Sequence, residues 1–355
     1  MSVFFIAEAG VNHNGDKEMA FRLIDCAVAA GADAVKFQTF NADALASSDA
    51  PKAAYQKATT DAEETQLDML RRLELPLAWH FELRDYCREK GIEFLSTPFD
   101  SGSLAFLVND LDLKTIKVPS GELTNGPFLL EIARTGCQII LSTGMSTLEE
   151  VKDALGVLAF GLSNPKGNPS KSAFKNALLS DASKEALIQN VTILHCTSAY
   201  PAPLKDANIS AIKTLRETFG LKTGFSDHTN GMTASLAAAA LSADVIEKHF
   251  TLDRDLPGPD HKASLNPSEL KDLVSNIRLI EMSLGDGIKQ PQPSEIETIA
   301  VARKSLVALS QIRPGDALTS QNMGAKRPGN GKSPMQFWDL IDTRATAAFD
   351  EGEQI

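Results

Sequence analysis

Two histidines end neighbouring apolar runs of the chain in a pattern that could bind a metal ion. His228 follows Ser226, and His249 follows Glu247. Residues two apart on a strand share a face, so each histidine points the same way as its polar neighbour. Strands lie about 5 Å apart, so two matched imidazoles can share one divalent cation, with oxygens such as those of Glu8 or Glu247 nearby. Mn²⁺, Fe²⁺, Co²⁺ and Zn²⁺ all suit such donors, and two separately hydrogen-bonded histidines are the alternative.

Lysines end two other runs, KFQT and KVPSGE. The apolar neighbours of Lys36 and Lys117 remove water from the lysine stems, so each amine could bind an anion, form a Schiff base or reach solvent. Gln38 shares a face with Lys36. Ser120 could donate a hydrogen bond to a phosphate oxygen, and Glu122 could move a proton.

These residues need elements that bring the run ends together. Eight short apolar runs end in polar clusters. Helical segments separate most of them, and alternating β and α units predict a parallel sheet. Polar groups at the C-terminal ends of eight buried strands predict a (β/α)8 barrel with its active site on that rim. The predicted strands are Phe4–Ala9, Ala34–Thr39, Phe94–Pro98, Ile116–Ser120, Ile139–Gly144, Thr192–Thr197, Gly224–His228 and Val245–Thr251.

Helices and loops follow from the same pattern. We expect helices near Asp16–Ala30, Glu63–Leu73 and Pro76–Lys90, the first ending at Gly31. The polar stretch Asn41–Asp61 departs from the β/α rhythm and predicts a lid or interface segment. The composition of Leu162–Lys175 predicts a mobile surface loop.

The chain is long enough for a large domain and a small one. We expect a catalytic barrel over 1–285, a linker over 286–298 and a small domain over 299–355. The linker is polar and contains Pro291 and Pro293, and the last segment consists of short strand-like pieces and turns. A unit this small has a marginal core, so we expect it to dock on a barrel, its own or a partner's.

Composition limits the classes of function. The net charge of −11 argues against nucleic acid and anionic membrane as partners. The chain has four cysteines without CxxC spacing, which predicts reduced thiols. The apolar N-terminus lacks the basic start of a signal peptide. We therefore expect a cytoplasmic protein.

Ten collinear motifs resemble the sialic acid (nonulosonic acid) synthase family over essentially the whole chain. They are IAEAGVNHNGD, KFQT, LSTPFD, KVPSGELTN, LSTGMS, LHCTSAYPAP, GFSDHT, EKHFT, GPDHKAS and KRPGNG. The resemblance implies a (β/α)8 TIM barrel followed by a small antifreeze-like (SAF, β-clip) domain. It implies condensation of phosphoenolpyruvate with the open-chain aldehyde of an N-acetylmannosamine-type sugar. It also implies a homodimer in which each SAF domain contributes to the partner's site.

The resemblance also implies roles for individual residues. His228 and His249 match metal ligands, with Mn²⁺ expected first and Mg²⁺ or Co²⁺ as alternatives. Glu122, Lys117 and His228 are the expected catalytic residues, with Glu122 handling protons. The residues expected to bind phosphoenolpyruvate are Lys36, Thr97, Lys117, Ser120, Ser198 and Ser226. Those expected to bind the sugar are Gln38, Tyr200, Asp260 and Arg327, the last from the partner's SAF domain.

One departure and several alternatives accompany this assignment. Related sequences often have Asn or Thr at position 198 and a larger residue at 199, where this chain has Ser198 and Ala199. Phe40 stands where some members have His, which fits the subgroup of N-acetylneuraminate and N,N'-diacetyllegionaminate synthases. N-acetylmannosamine is the acceptor expected first, and 2,4-diacetamido-2,4,6-trideoxymannose is the alternative. A Schiff-base aldolase using Lys36, Lys117 or Lys248, and a non-catalytic sugar- or ice-binding protein, are remoter alternatives.

Overall fold

The structure is a computed structural model that describes residues 2–47, 50–52, 56–57, 60 and 64–355. The chain divides into two compact units, Met1–Gly285 and Asp286–Ile355. In the described part of the chain, no helix is long and apolar enough to cross a membrane.

The first unit contains eight parallel strands in the order β3-β2-β1-β8-β7-β6-β5-β4. Strands β3 and β4 lie side by side without a hydrogen-bonded ladder, so the barrel is nearly closed. All eight apolar runs that predict strands form strands, and the ends differ from prediction by up to two residues. The strands are β1 Phe4–Gly10, β2 Ala34–Thr39, β3 Glu93–Pro98, β4 Thr115–Val118, β5 Gln138–Ser142, β6 Val191–Cys196, β7 Lys222–Asp227 and β8 Val245–His249.

Helices alternate with these strands, as expected for a (β/α)8 barrel. Those of the first unit are α1 Lys17–Ala30, α2 Ala42–Leu45, α3 Gln66–Leu73, α4 Leu77–Lys90, α5 Ser101–Ala105, α6 Gly126–Arg134, α7 Leu148–Ser163, α8 Lys171–Ala177, α9 Asp181–Asn190, α10 Ala211–Phe219, α11 Thr233–Ala240 and α12 Pro267–Leu284. Short 3₁₀ turns cover Ser120–Glu122, Leu204–Asp206 and His261–Ala263, and a π-helical turn covers Phe106–Asp110.

Local chemistry sets the ends of the first helix. The Asp16 side chain accepts a hydrogen bond from the Met19 backbone N–H and so satisfies one of the free donors of the first turn. Gly31 follows the last turn with a φ of 80°, a left-handed conformation that costs glycine little. These two residues fix where α1 leaves β1 and returns to β2.

An apolar layer inside the barrel supports the rim. Its fully or nearly buried members come from six strands: Ile6, Ala34, Leu95, Ile140, Leu194 and Val245. The residue two positions further along each strand points into the barrel again. Those residues are Glu8, Lys36, Thr97, Ser142, Cys196 and Glu247. A packed apolar floor therefore lies directly beneath a ring of polar side chains.

The insertion between β5 and β6 differs from the sequence expectation. The segment Leu162–Lys175 is not a loop throughout, because α8 begins at Lys171 and the Ser170 hydroxyl accepts from the Ala173 backbone N–H. The Ser170 cap and the packing of Phe174 against Phe160 of α7, with ring centroids 5.3 Å apart, stabilise this helix despite the Pro- and Ser-rich composition that predicts a loop. In the predicted lid, Ala42–Leu45 is helical, and residues 48–49, 53–55, 58–59 and 61 lie outside the described residues.

The second unit contains a small antiparallel sheet of β9, Ser305–Ala308, and β10, Met323–Lys326. Leu306, Ile312, Leu318 and Met323 are buried in its core. Its helices are α13 Ile296–Ala302 and α14 Phe337–Leu340, with 3₁₀ turns at Pro293–Glu295 and Pro334–Gln336. The second half of the predicted linker, 286–298, therefore has regular structure.

Candidate active site

A cavity of about 390 Å³ lies at the C-terminal ends of the barrel strands. The alternation rule holds at three places, because Lys36 with Gln38, Ser226 with His228, and Glu247 with His249 all face it. The cavity brings together most of the residues singled out from the sequence. Those that line it are Lys36, Gln38, Thr97, Lys117, Ser120, Ser198, Tyr200, Ser226, His228, His249 and Asp260.

Lys36 is buried in a network of three oxygen partners. Its Nζ atom lies 2.6 Å from Glu8 Oε2 and 3.6 Å from Glu247 Oε2, and it donates a 2.9 Å hydrogen bond to Thr97 Oγ1. Burial acts to lower the pKa of Lys36, but the charges of Glu247 and Glu8 outweigh it and raise the pKa. Lys36 therefore provides a fixed positive charge inside the cavity.

Lys117 is held more loosely. Its Nζ atom donates to Ser142 Oγ at 2.7 Å and to the Val118 carbonyl at 3.2 Å, and Glu247 Oε1 lies 3.8 Å away. Burial lowers the pKa of Lys117, and Glu247 only partly offsets this. An anionic ligand beside Lys117 would supply the missing negative charge and favour the ammonium form.

Two buried carboxyl groups beside these lysines differ in pKa. Burial raises the pKa of Glu8 to about 7, although Lys36 acts against it. Burial acts in the same direction on Glu247, but Lys117 and Lys36 outweigh it and hold its pKa at about 2. The Ser226 hydroxyl also donates to Glu247 Oε1 at 2.8 Å. Glu247 is thus the permanent anion of the cluster.

The two histidines lie close together with ring centroids 5.5 Å apart. His228 Nδ1 lies 2.9 Å from the Thr197 carbonyl oxygen, which can only accept, so Nδ1 carries the proton. His228 Nε2 is then the ring acceptor, and it lies near Tyr200 Oη at 3.2 Å and Ser226 Oγ at 3.4 Å. A backbone carbonyl holding one imidazole nitrogen is the arrangement that orients metal-binding histidines.

His249 is buried and has an unmatched nitrogen. Its Nδ1 atom has no hydrogen-bond partner among the described residues, and Asp260 Oδ2 lies 3.9 Å away. Burial, together with His228, lowers the pKa of His249 well below its usual range, so the ring is neutral. A neutral imidazole with an orphaned buried nitrogen fits a metal ligand.

The side chains of the cavity offer two protein ligands, His228 and His249, to a metal ion. Among the described residues, no group of three or more His, Cys, Asp or Glu side chains is arranged to hold a metal ion. Two imidazoles alone leave several coordination positions of a divalent ion to water or substrate. The residues present therefore fit an ion with an open coordination sphere, as a catalytic metal requires.

Asp260 and Tyr200 flank the histidine pair. Tyr200 packs against His228 with ring centroids 4.2 Å apart. Burial raises the pKa of Asp260 to about 6, and His228 acts against this shift. Both side chains face the cavity and can hydrogen-bond hydroxyl groups of a ligand.

Ser120, Cys196 and Ser198 crowd one glycine of the rim. The Gly144 backbone N–H donates to Ser120 Oγ at 3.0 Å. A Cβ atom at Gly144 would lie 2.3 Å from Ser198 Oγ and 2.8 Å from Ser120 Oγ. The two serines therefore keep their positions only because residue 144 has no side chain.

Of the residues of the first unit that are expected in the site, Glu122 is not part of this cavity. Glu122 lies in the 3₁₀ turn, its Oε2 accepts a 2.7 Å hydrogen bond from Asn125, and it does not line the cavity. The turn after β4 directs this side chain toward its own helix cap. Arg327 belongs to the second unit, where its Nε donates to the Ala302 carbonyl at 3.0 Å.

Lys248 lies on the other face of β8. It forms a buried 3.0 Å ion pair with Asp227 and also donates to the Thr229 carbonyl. Because it alternates with Glu247 and His249, it points away from the cavity. Lys248 is therefore not available as a Schiff-base nucleophile in this cavity.

The sequence predicts Glu8 and Glu247 only as possible oxygen donors to a metal. In the structure they contact the lysines instead. The alternation of side chains along a strand predicts that both carboxylates point into the barrel, because Glu8 follows Ile6 and Glu247 follows Val245 at inward-facing positions. The lysine that each carboxylate contacts could not be predicted from the sequence, because it depends on the register of β1 with β2 and β8.

A buried cation–carboxylate cluster beside a histidine pair, on the C-terminal rim of a barrel, defines an enzyme active site. The model of the NeuB family matches residues 23–289, and the chain belongs to the NeuB family. It is thus an enzyme of the nonulosonic acid synthase class.

Relatives match over almost the whole chain. N,N'-diacetyllegionaminic acid synthase of Campylobacter jejuni is 48% identical over 350 residues, covering 99% of this chain and 98% of the relative. The synthase of the same name from Legionella pneumophila is 41% identical, covering 99% and 93%. The crystal structure of N-acetylneuraminic acid (sialic acid) synthetase from Leptospira borgpetersenii with citrate is 33% identical, with a TM-score of 0.67, covering 84% of this chain and 90% of that one.

Proposed function

We propose that this protein is an N,N'-diacetyllegionaminate synthase. It condenses phosphoenolpyruvate with the open-chain aldehyde of 2,4-diacetamido-2,4,6-trideoxymannose and water, and it releases phosphate. The observation that carries the reaction type is that two buried lysines and a histidine pair line one cavity. Identities of 48% and 41% to synthases of that name support this acceptor over N-acetylmannosamine, the acceptor expected first.

In this proposal Lys36 and Lys117 bind phosphoenolpyruvate. Both ammonium groups are buried in the cavity, where a charge pair is screened less than at the surface. They neutralise the carboxylate and the phosphate of the substrate. The hydroxyls of Thr97 and Ser120 donate hydrogen bonds beside them, and Ser226 can donate one when its proton turns from Glu247 to the substrate.

We assign His228 and His249 as ligands of a divalent metal, Mn²⁺ first and Mg²⁺ or Co²⁺ as alternatives. When bound, such an ion supplies Lewis acidity toward a carbonyl oxygen. The chain's part is to present one oriented and one neutral imidazole toward the cavity, with Tyr200 and Asp260 placed to hold acceptor hydroxyls.

The proposed reaction joins C3 of the enol to the aldehyde carbon. Water then adds at C2, and the tetrahedral centre collapses by cleavage of the C–O bond to phosphate. Holding both substrates in one cavity supplies the proximity that this carbon–carbon bond needs. Proton transfers, first expected of Glu122, are assigned to the two carboxyl groups of the cavity whose pKa is raised, Glu8 and Asp260.

We further propose that the second unit is an SAF domain and that the enzyme is a cytoplasmic homodimer. In that assembly Arg327 of one subunit completes the sugar site of the other. Motif resemblance supports this part of the proposal, together with the small core of the second unit, which gains from further burial.

The test is phosphate release from phosphoenolpyruvate with each acceptor and added Mn²⁺. We expect turnover with the diacetamido sugar, and at least 100-fold loss in His228→Ala and in His249→Ala, since each removes one of two protein ligands. Calorimetric titration with Mn²⁺ should show weaker binding in both variants. His195→Ala is the control, because His195 bonds the Ala207 carbonyl and does not line the cavity. Near-wild-type turnover in both His228 and His249 variants contradicts the metal assignment.

N-acetylneuraminate synthase is the second candidate. The sialic acid synthetase structure, 33% identical to this chain, favours it. The same assay separates the two, because that enzyme would turn over N-acetylmannosamine better than the diacetamido sugar.

A further inference from the structure

The cavity has an apolar half that the proposed chemistry does not use. Besides the lysines and histidines, apolar side chains of one packed cluster line the cavity, and six of them form what we call the apolar wall. They are Val11, Phe40, Met69, Leu70, Leu73 and Phe99. Phosphoenolpyruvate is charged at both ends, so this wall faces the other substrate.

The wall is part of a packed cluster rather than a loose surface. Met69 is 1% exposed and Leu73 is 3% exposed. The rings of Phe40 and Phe99 meet edge to face with centroids 6.1 Å apart. The cluster joins the segments after β1, β2 and β3 to helix α3, so its side chains present a fixed apolar face to a ligand.

The residues that line the cavity along and just after β2 change from charged to apolar. Lys36, Gln38 and Phe40 are two residues apart, and all three line the cavity. At about 3.3 Å per residue, Phe40 lies roughly 13 Å beyond Lys36 along an extended chain. Strand β3 repeats the order on a smaller scale, from Thr97 to Phe99.

This order fixes how an acceptor must lie. Its aldehyde has to meet phosphoenolpyruvate beside the lysines. The aldehyde carbon lies about 3 Å beyond the carbon of phosphoenolpyruvate that it meets, and an extended six-carbon chain spans about 6 Å more, given C–C bonds of about 1.5 Å. C6 therefore lies about 9 Å from the level of Lys36, past Gln38 and toward Phe40. The amides of Gln38 and Gln66 line this part of the cavity and have no hydrogen bond to any described residue. They suit the acetamido groups.

We propose that the apolar wall makes the site selective for acceptors with a methyl group at C6, a 6-deoxy end. The inference rests on the proposed function and goes beyond it, because it assigns acceptor choice to named side chains. A C6 methyl packs against the wall. The C6 hydroxyl of N-acetylmannosamine would lose its water against side chains of the wall that carry no N–H or O–H donor and no oxygen acceptor.

The experiment compares kcat/KM for three acceptors: the diacetamido sugar, N-acetylmannosamine and 2-acetamido-2,6-dideoxymannose. The last two differ only at C6. We expect the wild type to prefer the 6-deoxy sugar by about 10- to 100-fold, the range in which apolar pockets discriminate against an added hydroxyl. Leu70→Gln should reduce that ratio to about threefold or less, because its amide can pair with the hydroxyl.

Leu67→Gln is the matched control on the same helix. Leu67 is half-buried like Leu70 but does not line the cavity, so its ratio should equal that of the wild type. Thermal melts confirm that each variant folds; if Leu70→Gln unfolds, Leu70→Asn replaces it, and the wild-type ratio stands by itself. A ratio near one in the wild type, or an unchanged ratio in the folded Leu70 variant, overturns the inference and leaves the proposed function intact. No phosphate release with any of the three acceptors overturns both.

Discussion

At the scale of single residues, the site depends on hydroxyl groups that accept hydrogen bonds from the two buried lysines. The Lys36 ammonium meets the Thr97 hydroxyl at 2.9 Å, and the Lys117 ammonium meets Ser142 at 2.7 Å. Each hydroxyl accepts from a buried cation, which is a stronger bond than one between neutral groups. These hydroxyls fix where the two positive charges lie before substrate arrives.

Thr97→Val is the substitution that tests this arrangement. Valine keeps the shape of threonine but removes one of the three oxygen partners of Lys36, and a hydrogen bond to a charged group contributes about 1.5–3 kcal/mol. We expect kcat/KM for phosphoenolpyruvate to fall at least tenfold, measured by phosphate release at saturating acceptor. Thr39→Val is the control, because the Thr39 hydroxyl bonds Ser96 and His80 and does not line the cavity. An equal loss in both variants would mean that general destabilisation explains the effect.

At the scale of elements, the same alternation that builds the rim also anchors the outer helices. Thr39 and Ser96 lie on β2 and β3 between the inward-facing positions, so they face the helical layer. Their hydroxyls bond each other at 2.7 Å, and Thr39 reaches His80 Nε2 of helix α4 at 2.8 Å. A buried polar chain thus links the strands that carry Lys36 and Thr97 to the helix behind them.

His80 makes this link sensitive to acid. Burial lowers the pKa of His80 from 6.5 to about 4, and the Pro76 carbonyl acts weakly against it. Between pH 6.5 and about 4, His80 is therefore protonated in the unfolded chain but neutral in the folded protein. The stability from His80 is present above pH 6.5 and is lost as the pH falls toward 4, by up to about 3 kcal/mol.

His80→Gln should reveal this dependence, because glutamine can donate and accept but does not titrate. Urea unfolding at pH 7.5, 6.0 and 5.0 gives the free energy of unfolding of both proteins. We expect the wild type to be the more stable at pH 7.5 and its advantage to shrink steadily at the lower values. Parallel curves for the two proteins would show that His80 is not the group responsible.

Periodicity and end signals made most of the barrel predictable from the sequence. Ile6 to Glu8 and Val245 to Glu247 show why: a strand that is apolar at one inward position and polar at the next indicates both the core and the rim. The helix at Lys171 was missed because its capping serine lies in a segment whose composition predicts a loop. The hydrogen bond from Asn125 to Glu122 could not be predicted, because a local turn, not strand alternation, directs the Glu122 side chain. Cross-strand partners such as Glu8 and Lys36 depend on register, which no single run encodes.

At the scale of the whole molecule, charge acts against the substrate. The chain carries a net charge of −11, whereas phosphoenolpyruvate is an anion. Capture therefore depends on the buried lysines and on any cation contributed from elsewhere in the assembly. Arg327 of the second unit is exposed, and it is the cation that the proposed homodimer would contribute to a neighbouring site.

Subunit mixing tests that proposal directly. His228→Ala removes a metal ligand from the barrel and keeps Arg327, whereas Arg327→Ala keeps the barrel and removes the arginine, so each variant alone should be nearly inactive. If the arginine acts across a two-fold dimer, a mixed dimer contains one intact site, in the barrel of the Arg327→Ala subunit. Refolding equal amounts together gives about half mixed dimers, and thus about a quarter of the wild-type activity per subunit. Sedimentation would confirm the dimer, and a mixture that stays as inactive as its components would show that Arg327 does not act in trans.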